Sequence, residues 1–297
     1  MKNILITGGS GMLGSAFKKL LPDAIYISSK DYDLRDRNQV NEMYATHKPE
    51  YVIHLASRVG GVLANMQNLG DFYFDNIMMN TNVLDAAKEH KVKKVLSCLS
   101  TCVYPDKVRY PLTEDQIHNG PPHSSNYTYA YTKRMIDIQS RAYREQFGCN
   151  FISMSPNNLF GEHDNFDLET CHVVPALIKR VLNGEEPFIV WGNSDVVRDF
   201  LYVKDVVDGA LLILEKGESM RPYNLGYGST VTIGDIVNII LKVTNKNPKV
   251  EWDNTKPTTI PFRMVSTDRI RDELGFKPLY TFEDGIKETI DWYNRNY

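Results

Sequence analysis

The 297-residue sequence predicts an α/β fold, a doubly wound parallel sheet that carries a smaller, interleaved C-terminal lobe. Three observations predict it. Short apolar runs alternate with helix-length stretches through the first half, a glycine-rich turn follows the first run, and the alternation breaks after about Asn158.

Asn3–Thr7 reads as the first strand. Its apolar stretch is short and ends in a glycine turn rather than a cleavage site, so it is not the core of a secretory leader. Helix at Gly14–Leu21, strand at Ala24–Ser28, helix at Gln39–His47 and strand at Tyr51–Leu55 follow. Next come helix Asn76–His90, strand Lys94–Leu99, helix Tyr129–Phe147 and strand Cys149–Ser155. This order calls for a parallel sheet with helices on both faces, and such sheets bind ligands at the carboxyl ends of their strands. Beyond a Gly/Asp/Asn-rich loop, a helix is expected at Val173–Leu182 and an extended piece at Pro187–Gly192. Phe200–Leu214 reads as a return to the main sheet with its flanking helix. The tail from Tyr223 carries a strand, the helix Ile233–Thr244, a strand near Lys249–Trp252 and closing helices. The expected division is a nucleotide-binding Rossmann-type domain at 1–165, with a return of about 195–222, and a substrate lobe at 166–194 and 223–297.

Composition narrows the partners. Net charge is −3 with no basic block, which argues against nucleic acid. No apolar run reaches membrane-spanning length, so no membrane partner is expected. Cys98, Cys102, Cys149 and Cys171 show neither metal-type spacing nor a disulfide framework, which points to a reducing, cytoplasmic setting and no metal.

Gly8, Gly11 and Gly14 stand after the first strand and open a helix. Without side chains the backbone can turn sharply and place free amides against a pyrophosphate. A glycine pattern alone is weak, but first strand, first turn and start of chain is the position this motif needs. The second strand ends in Ser28-Ser29-Lys30, and hydroxyls with an ammonium suit a 2′-phosphate, so NADP(H) is the expected cofactor. Asp31 follows closely, and Asp33 and Leu34 are candidate adenine contacts. Tyr129 and Lys133 are four residues apart and share a helix face. A cation near the phenol favours its anion and so assists proton transfer, while Ser100 or Thr101 at a strand end can hold a carbonyl.

Through Gly8/Gly11/Gly14, Ser100, Tyr129 and Lys133 the chain resembles the extended short-chain dehydrogenases/reductases. That resemblance implies that Tyr129 donates the proton to the reduced carbonyl and that Lys133 also binds the nicotinamide ribose. It places Met12, Leu55, Ala56, Pro156, Asn158 and Leu159 against the cofactor as well. Further segments are similar to the GDP-L-fucose synthase family: His54 to Gly61, Ser100 to Pro105, Asn157 to Phe166, Cys171 to Leu177, and Trp191-Gly192 with Arg198-Asp199-Phe200. The reaction implied starts from GDP-4-keto-6-deoxymannose, epimerises C3 and C5, and reduces C4 with NADPH. Cys102 and His172 fit the base/acid pair by motif position. Asn158, Arg180, Trp191, Arg198 and Arg263 would contact the GDP-linked keto-deoxy sugar. Outside that match Cys102 would pass for core, His172 would be evenly divided between a site role and a structural one, and Arg180 and Arg198 would each read as a surface ion pair. The resemblance also implies a homodimer built on Asn76–His90 and Tyr129–Phe147. Two departures stand out: Thr258-Thr259 replace an acidic residue and a glycine, and Glu162 stands where the family has proline. Rivals are a related GDP-sugar 4-reductase, a nucleotide-sugar 4-epimerase that recycles its cofactor, and a non-catalytic NADP-binding regulator. His163 reads as a structural residue of its loop, with a second polar contact as the alternative, and the Met78-Met79 pair and Trp292 are expected to serve packing.

Overall fold

A computed structural model describes residues 2–60, 67–218, 221–255 and 262–297. Six parallel strands form the main sheet: β1 (Ile4–Thr7), β2 (Ile25–Ile27), β3 (Tyr51–His54), β4 (Lys94–Cys98), β5 (Phe151–Pro156) and β10 (Tyr223–Leu225), in the order β10-β5-β4-β3-β1-β2. Alternation along each strand sorts side chains to two layers. Ile4 and Ile6 join one core cluster and Leu5 the other, and Leu96 and Val95 divide the same way. Against the Leu5 side pack α2 (Arg37–His47), α3 (Leu69–Glu89) and α4 (Tyr127–Phe147). Against the Ile4/Ile6 side pack α1 (Met12–Leu20) and α6 (Val203–Lys216).

The second cluster runs on without interruption into the lobe, through α5 (Val173–Leu182), α7 (Ile233–Thr244) and α9 (Phe282–Asn296). Here β7 (Phe188–Trp191) pairs in parallel with β12 (Val250–Asp253), and β8 (Val197–Arg198) lies between β11 (Val231–Thr232) and β13 (Phe262–Arg263). A short helix, α8 (Asp268–Leu274), packs beside β10 and α6. Capping boxes start two lobe helices, Thr232 with Asp235 at α7 and Thr281 with Asp284 at α9.

Two expectations change. The helix expected from Asn76 begins at Leu69, because Phe72, Asp75 and Asn76 are already buried in its first two turns. Phe200–Tyr202, expected to rejoin the main sheet, forms β9 and pairs with β6 (Asn158–Phe160) in a separate two-stranded sheet. The place beside β5 is taken by β10, in register Tyr223 with Met154 and Leu225 with Pro156. Both three-residue strands are buried throughout, so hydrophobicity alone does not distinguish them. The Thr258-Thr259 departure lies outside the described residues.

Candidate active site

The glycine turn is close-packed. Gly8 has φ +74°, and its carbonyl accepts from Gly11 N at 3.1 Å. A Cβ on Gly8 would sit 2.8 Å from Ala56 N, and one on Gly14 would sit 2.5 Å from Gly8 O. Gly11 caps α1 with no side chain over its first amides, and no acidic residue stands in the first turn. Met12 opens α1, while Leu55 and Ala56 lie directly after β3 and bound the turn. The turn therefore fits a pyrophosphate, which no side chain here would repel. Ser29 and Lys30 are exposed beyond β2. The nearby carboxylate is engaged elsewhere: Asp31 Oδ2 accepts from Ser28 Oγ at 2.6 Å and Ser28 N at 2.8 Å. Those bonds hold its carboxyl below the usual range. Asp33 pairs with Arg35, Arg35 with Asp75 and Asp75 with Arg58. Arg35, on the same loop as the expected adenine contacts, is a cation that sequence reasoning passed over. Leu34 is buried in the α2–α3 layer.

Ser100 follows β4, and its hydroxyl accepts from Cys102 N at 3.4 Å, capping a 3-10 turn at Thr101–Val103. Tyr129 and Lys133 are both buried on α4. The expected effect of Lys133 on the phenol is not what the geometry provides. Lys133 Nζ donates to Cys98 O at 2.8 Å and lies 5.8 Å from the Tyr129 ring centroid. Burial dominates, raising the phenol and lowering the ammonium. The hydroxyl that opposes the rise belongs to Ser57. Ser57 Oγ donates to Asn76 Oδ1 at 2.8 Å, and Asn76 also holds both backbone groups of Arg58. Ser57 was legible only as part of the His54–Gly61 motif, with no sign that it reaches the phenol.

Cys102 is 7 % exposed and packs with Tyr129 and Ala130 in one small buried cluster. Burial pushes its thiol up; Ser100 and then Arg263, Lys133 and Arg134 pull against that rise.

A cavity of about 570 Å³ opens between α5, β7 and β8, and Asn158, His172, Arg180, Trp191 and Arg198 line it. His172 is the N-cap residue of α5. It lines the cavity and is exposed to solvent there, while the surrounding protein lowers its pKa by desolvation. Trp191 is 64 % exposed at the rim. Arg198 and Arg263 are register neighbours on β8 and β13. Burial, then the Arg263 charge, lowers Arg198 to about 10, and Arg263 Nε is buried with no partner among the described residues. Arg180 differs from its neighbours. Its Nε donates to Glu185 Oε2 at 2.6 Å and its guanidinium lies 5.1 Å from the Phe188 ring centroid, so its charge is largely neutralised within the wall. The Ser100, Tyr129 and Lys133 side chains lie outside this lining. Arg263 acts on both Cys102 and Arg198, and so links the two halves of the site.

Pro156 ends β5 at the carboxyl edge of the sheet, and Asn158 and Leu159 begin β6. Asn158 Nδ2 donates to Asp199 O at 3.0 Å. Asp199 itself is fully buried; burial raises its carboxyl to about 6 against hydrogen bonds that include Tyr227 N at 2.9 Å. The His163 and Trp292 rings lie 4.7 Å apart between centroids, tilted by 50°, which puts Trp292 in the packing role expected of it. No group of metal-ligating side chains is found among the described residues, and no described helix is long and apolar enough to cross a membrane.

A glycine turn after β1 with a buried tyrosine–lysine pair on α4 defines a class of nucleotide-dependent enzymes. The chain belongs to the NAD dependent epimerase/dehydratase family, whose model matches residues 4–226. Within it the likeness is to GDP-L-fucose synthases. A probable GDP-L-fucose synthase of Drosophila melanogaster is 37 % identical across the whole chain and 98 % of its own length. The GDP-L-fucose synthase of Escherichia coli is 29 % identical over 99 % of this chain and 97 % of its own. The crystal structure of a GDP-L-fucose synthetase from Naegleria fowleri bound to NADP superposes with a TM-score of 0.89. It is 38 % identical, covering 99 % of this chain and 93 % of that one.

Proposed function

We propose that this protein is an NADP-dependent enzyme that converts GDP-4-keto-6-deoxymannose to GDP-L-fucose by epimerisation at C3 and C5 and reduction at C4. The observation that carries this reading is the buried cluster in which Cys102 lies against Tyr129. A ketoreductase needs the phenol alone; a thiol beside it adds a second proton-transfer group next to the same carbonyl. NADPH, when bound at the glycine turn, supplies the hydride to C4.

The chain's own residues do the rest. Ser100 and Tyr129 hold the C4 oxygen by hydrogen bonds, which makes the hydrogens on C3 and C5 acidic. Cys102 and His172 act as base and acid on opposite faces of the sugar. Tyr129 is kept protonated by burial, so it gives its proton as charge develops on the C4 oxygen. Lys133 orients the nicotinamide ribose. Arg198 and Arg263 take the diphosphate with paired donors, and Trp191 covers the nucleotide from the rim. In this reading residues 1–165 hold the cofactor and the lobe holds the GDP-sugar.

We further propose that two copies associate through α3 and α4. Tyr127, Tyr131, Met135 and Ile138 are all exposed at helical spacing on α4, beside exposed Tyr73 and Phe74 on α3.

The test is NADPH consumption with GDP-4-keto-6-deoxymannose, the product being identified by NMR. Stoichiometric oxidation with GDP-L-fucose as product supports both half-reactions. An unepimerised product removes the roles given to Cys102 and His172 and leaves a 4-keto reductase. Cofactor that stays bound and recycles points to a 4-epimerase.

A further inference from the structure

One cation near Cys102 is used by neither the reduction nor the binding of substrate as described above. Arg134 follows Lys133 on α4 and is 4 % exposed. Its Nε donates at 2.6 Å to the carbonyl of Val103, the last residue of the 3-10 turn that carries Cys102. Its Nη2 is buried with no hydrogen-bond partner among the described residues. The guanidinium lies 5.4 Å from the Tyr131 ring centroid. The groups able to supply a negative charge to it are the Tyr131 phenol and the Cys102 thiol, with no carboxylate among them. A buried guanidinium lacking a permanent counter-ion is costly, since desolvation is not offset by a charge partner.

We propose that Arg134 is a positioning residue for the epimerisation: it fixes the turn bearing Cys102 and sets a permanent positive charge beside the thiolate that forms there. This rests on the assignment of Cys102 to proton transfer made above. In each inversion one member of the Cys102/His172 pair takes the proton from the carbon next to the ketone. The C–H electron pair passes into the enolate, with the negative charge on the C4 oxygen. The other member gives a proton to the opposite face, and the pair returns to form the new C–H bond. As base, Cys102 starts as the thiolate; as acid, it ends as one. In either order a full negative charge appears on a sulfur that is almost completely buried. The groups facing it are Ser100 on its own loop, Tyr129, Lys133 and Arg134 from α4, and Arg263 from β13. Lys133 is bonded to the Cys98 carbonyl, and Arg263 stands on the substrate side with Arg198. Arg134 is 4 % exposed and anchored to the Val103 carbonyl, outside the cavity lining.

The experiment uses the full-length enzyme and follows deuterium entering C3 and C5 of GDP-4-keto-6-deoxymannose in D₂O. It is paired with a thiolate absorbance titration taken as the difference from Cys102→Ala. Arg134→Met is expected to slow exchange about tenfold and to raise the Cys102 midpoint by about one pH unit. NADPH affinity should stay as in the parent. Arg134→Lys should restore the midpoint but only part of the exchange, because the anchor on Val103 is lost. Unchanged exchange and midpoint in Arg134→Met overturn the proposal. If that variant does not fold, Arg134→Gln keeps a donor for Val103 without the charge, and an unmoved midpoint there overturns the proposal equally. Exchange at the parent rate in Cys102→Ala would instead remove the assignment of Cys102 on which the inference rests.

Discussion

Asp164 and Tyr129 are both buried ionisable groups, and burial acts on them in the same direction with opposite consequences. Asp164 Oδ1 accepts from Asn165 N, while Oδ2 is buried with no partner among the described residues, and desolvation raises the carboxyl to about 7. A carboxyl whose folded pKa exceeds its unfolded value stabilises the fold least when it is ionised. Stability is therefore greatest below the unfolded value, falls as pH rises, and levels off above the folded pKa. Asp164→Asn keeps the acceptor and removes the charge. It should raise stability by about 2–4 kcal/mol at pH 8 and by little near pH 4, read from denaturant melts at the two values. In Tyr129 the same burial keeps the phenol protonated, as the proposed proton donation to the C4 oxygen requires. Tyr129→Phe should lower NADPH oxidation by roughly 10²–10⁴-fold while cofactor fluorescence titration stays near the parent. The pairing of Tyr129 with Lys133 was legible from a spacing of four. The direction of the Lys133 ammonium was not, because spacing places a side chain on a face without saying which carbonyl lies opposite. Arg180 teaches the same lesson: the resemblance set it against the substrate, but Glu185, five residues on, captures it.

At the scale of elements, the glycine turn shows how much a spacing can specify. The Gly14 constraint is one of contact, since an added methyl would meet Gly8 O at 2.5 Å and the Gly9 backbone at 2.6 Å, well inside van der Waals contact. Gly14→Ala should therefore push α1 away from β1, cost about 1–3 kcal/mol, and weaken NADPH binding tenfold or more, measured by fluorescence titration. This element was readable because the motif, its strand and its helix lie in one stretch of sequence. β9 and β10 were not, because each is three residues long, buried throughout, and paired with a strand far away in sequence. Glu162 lies between these cases. It is nearly fully buried on the loop after β6 and forms an ion pair with Lys19 of α1, joining that loop to the cofactor side of the molecule.

For the whole molecule, a core cluster that runs from the sheet into the lobe explains why no linker was visible between them. The exposed stripe on α4 is an apolar feature not used in that core. Ile138→Glu should shift sedimentation toward the monomer while leaving the far-ultraviolet circular dichroism unchanged, since the residue is 43 % exposed. The late arrival of β10 has a consequence for the chain as it leaves the ribosome. Until Tyr223 has emerged, β5 has a bare edge, and the cavity residues from Asn158 to Phe200 must be synthesised before that edge can be closed. At about 5–20 residues per second, the nascent sheet waits several seconds with one strand open to a neighbour on the same message.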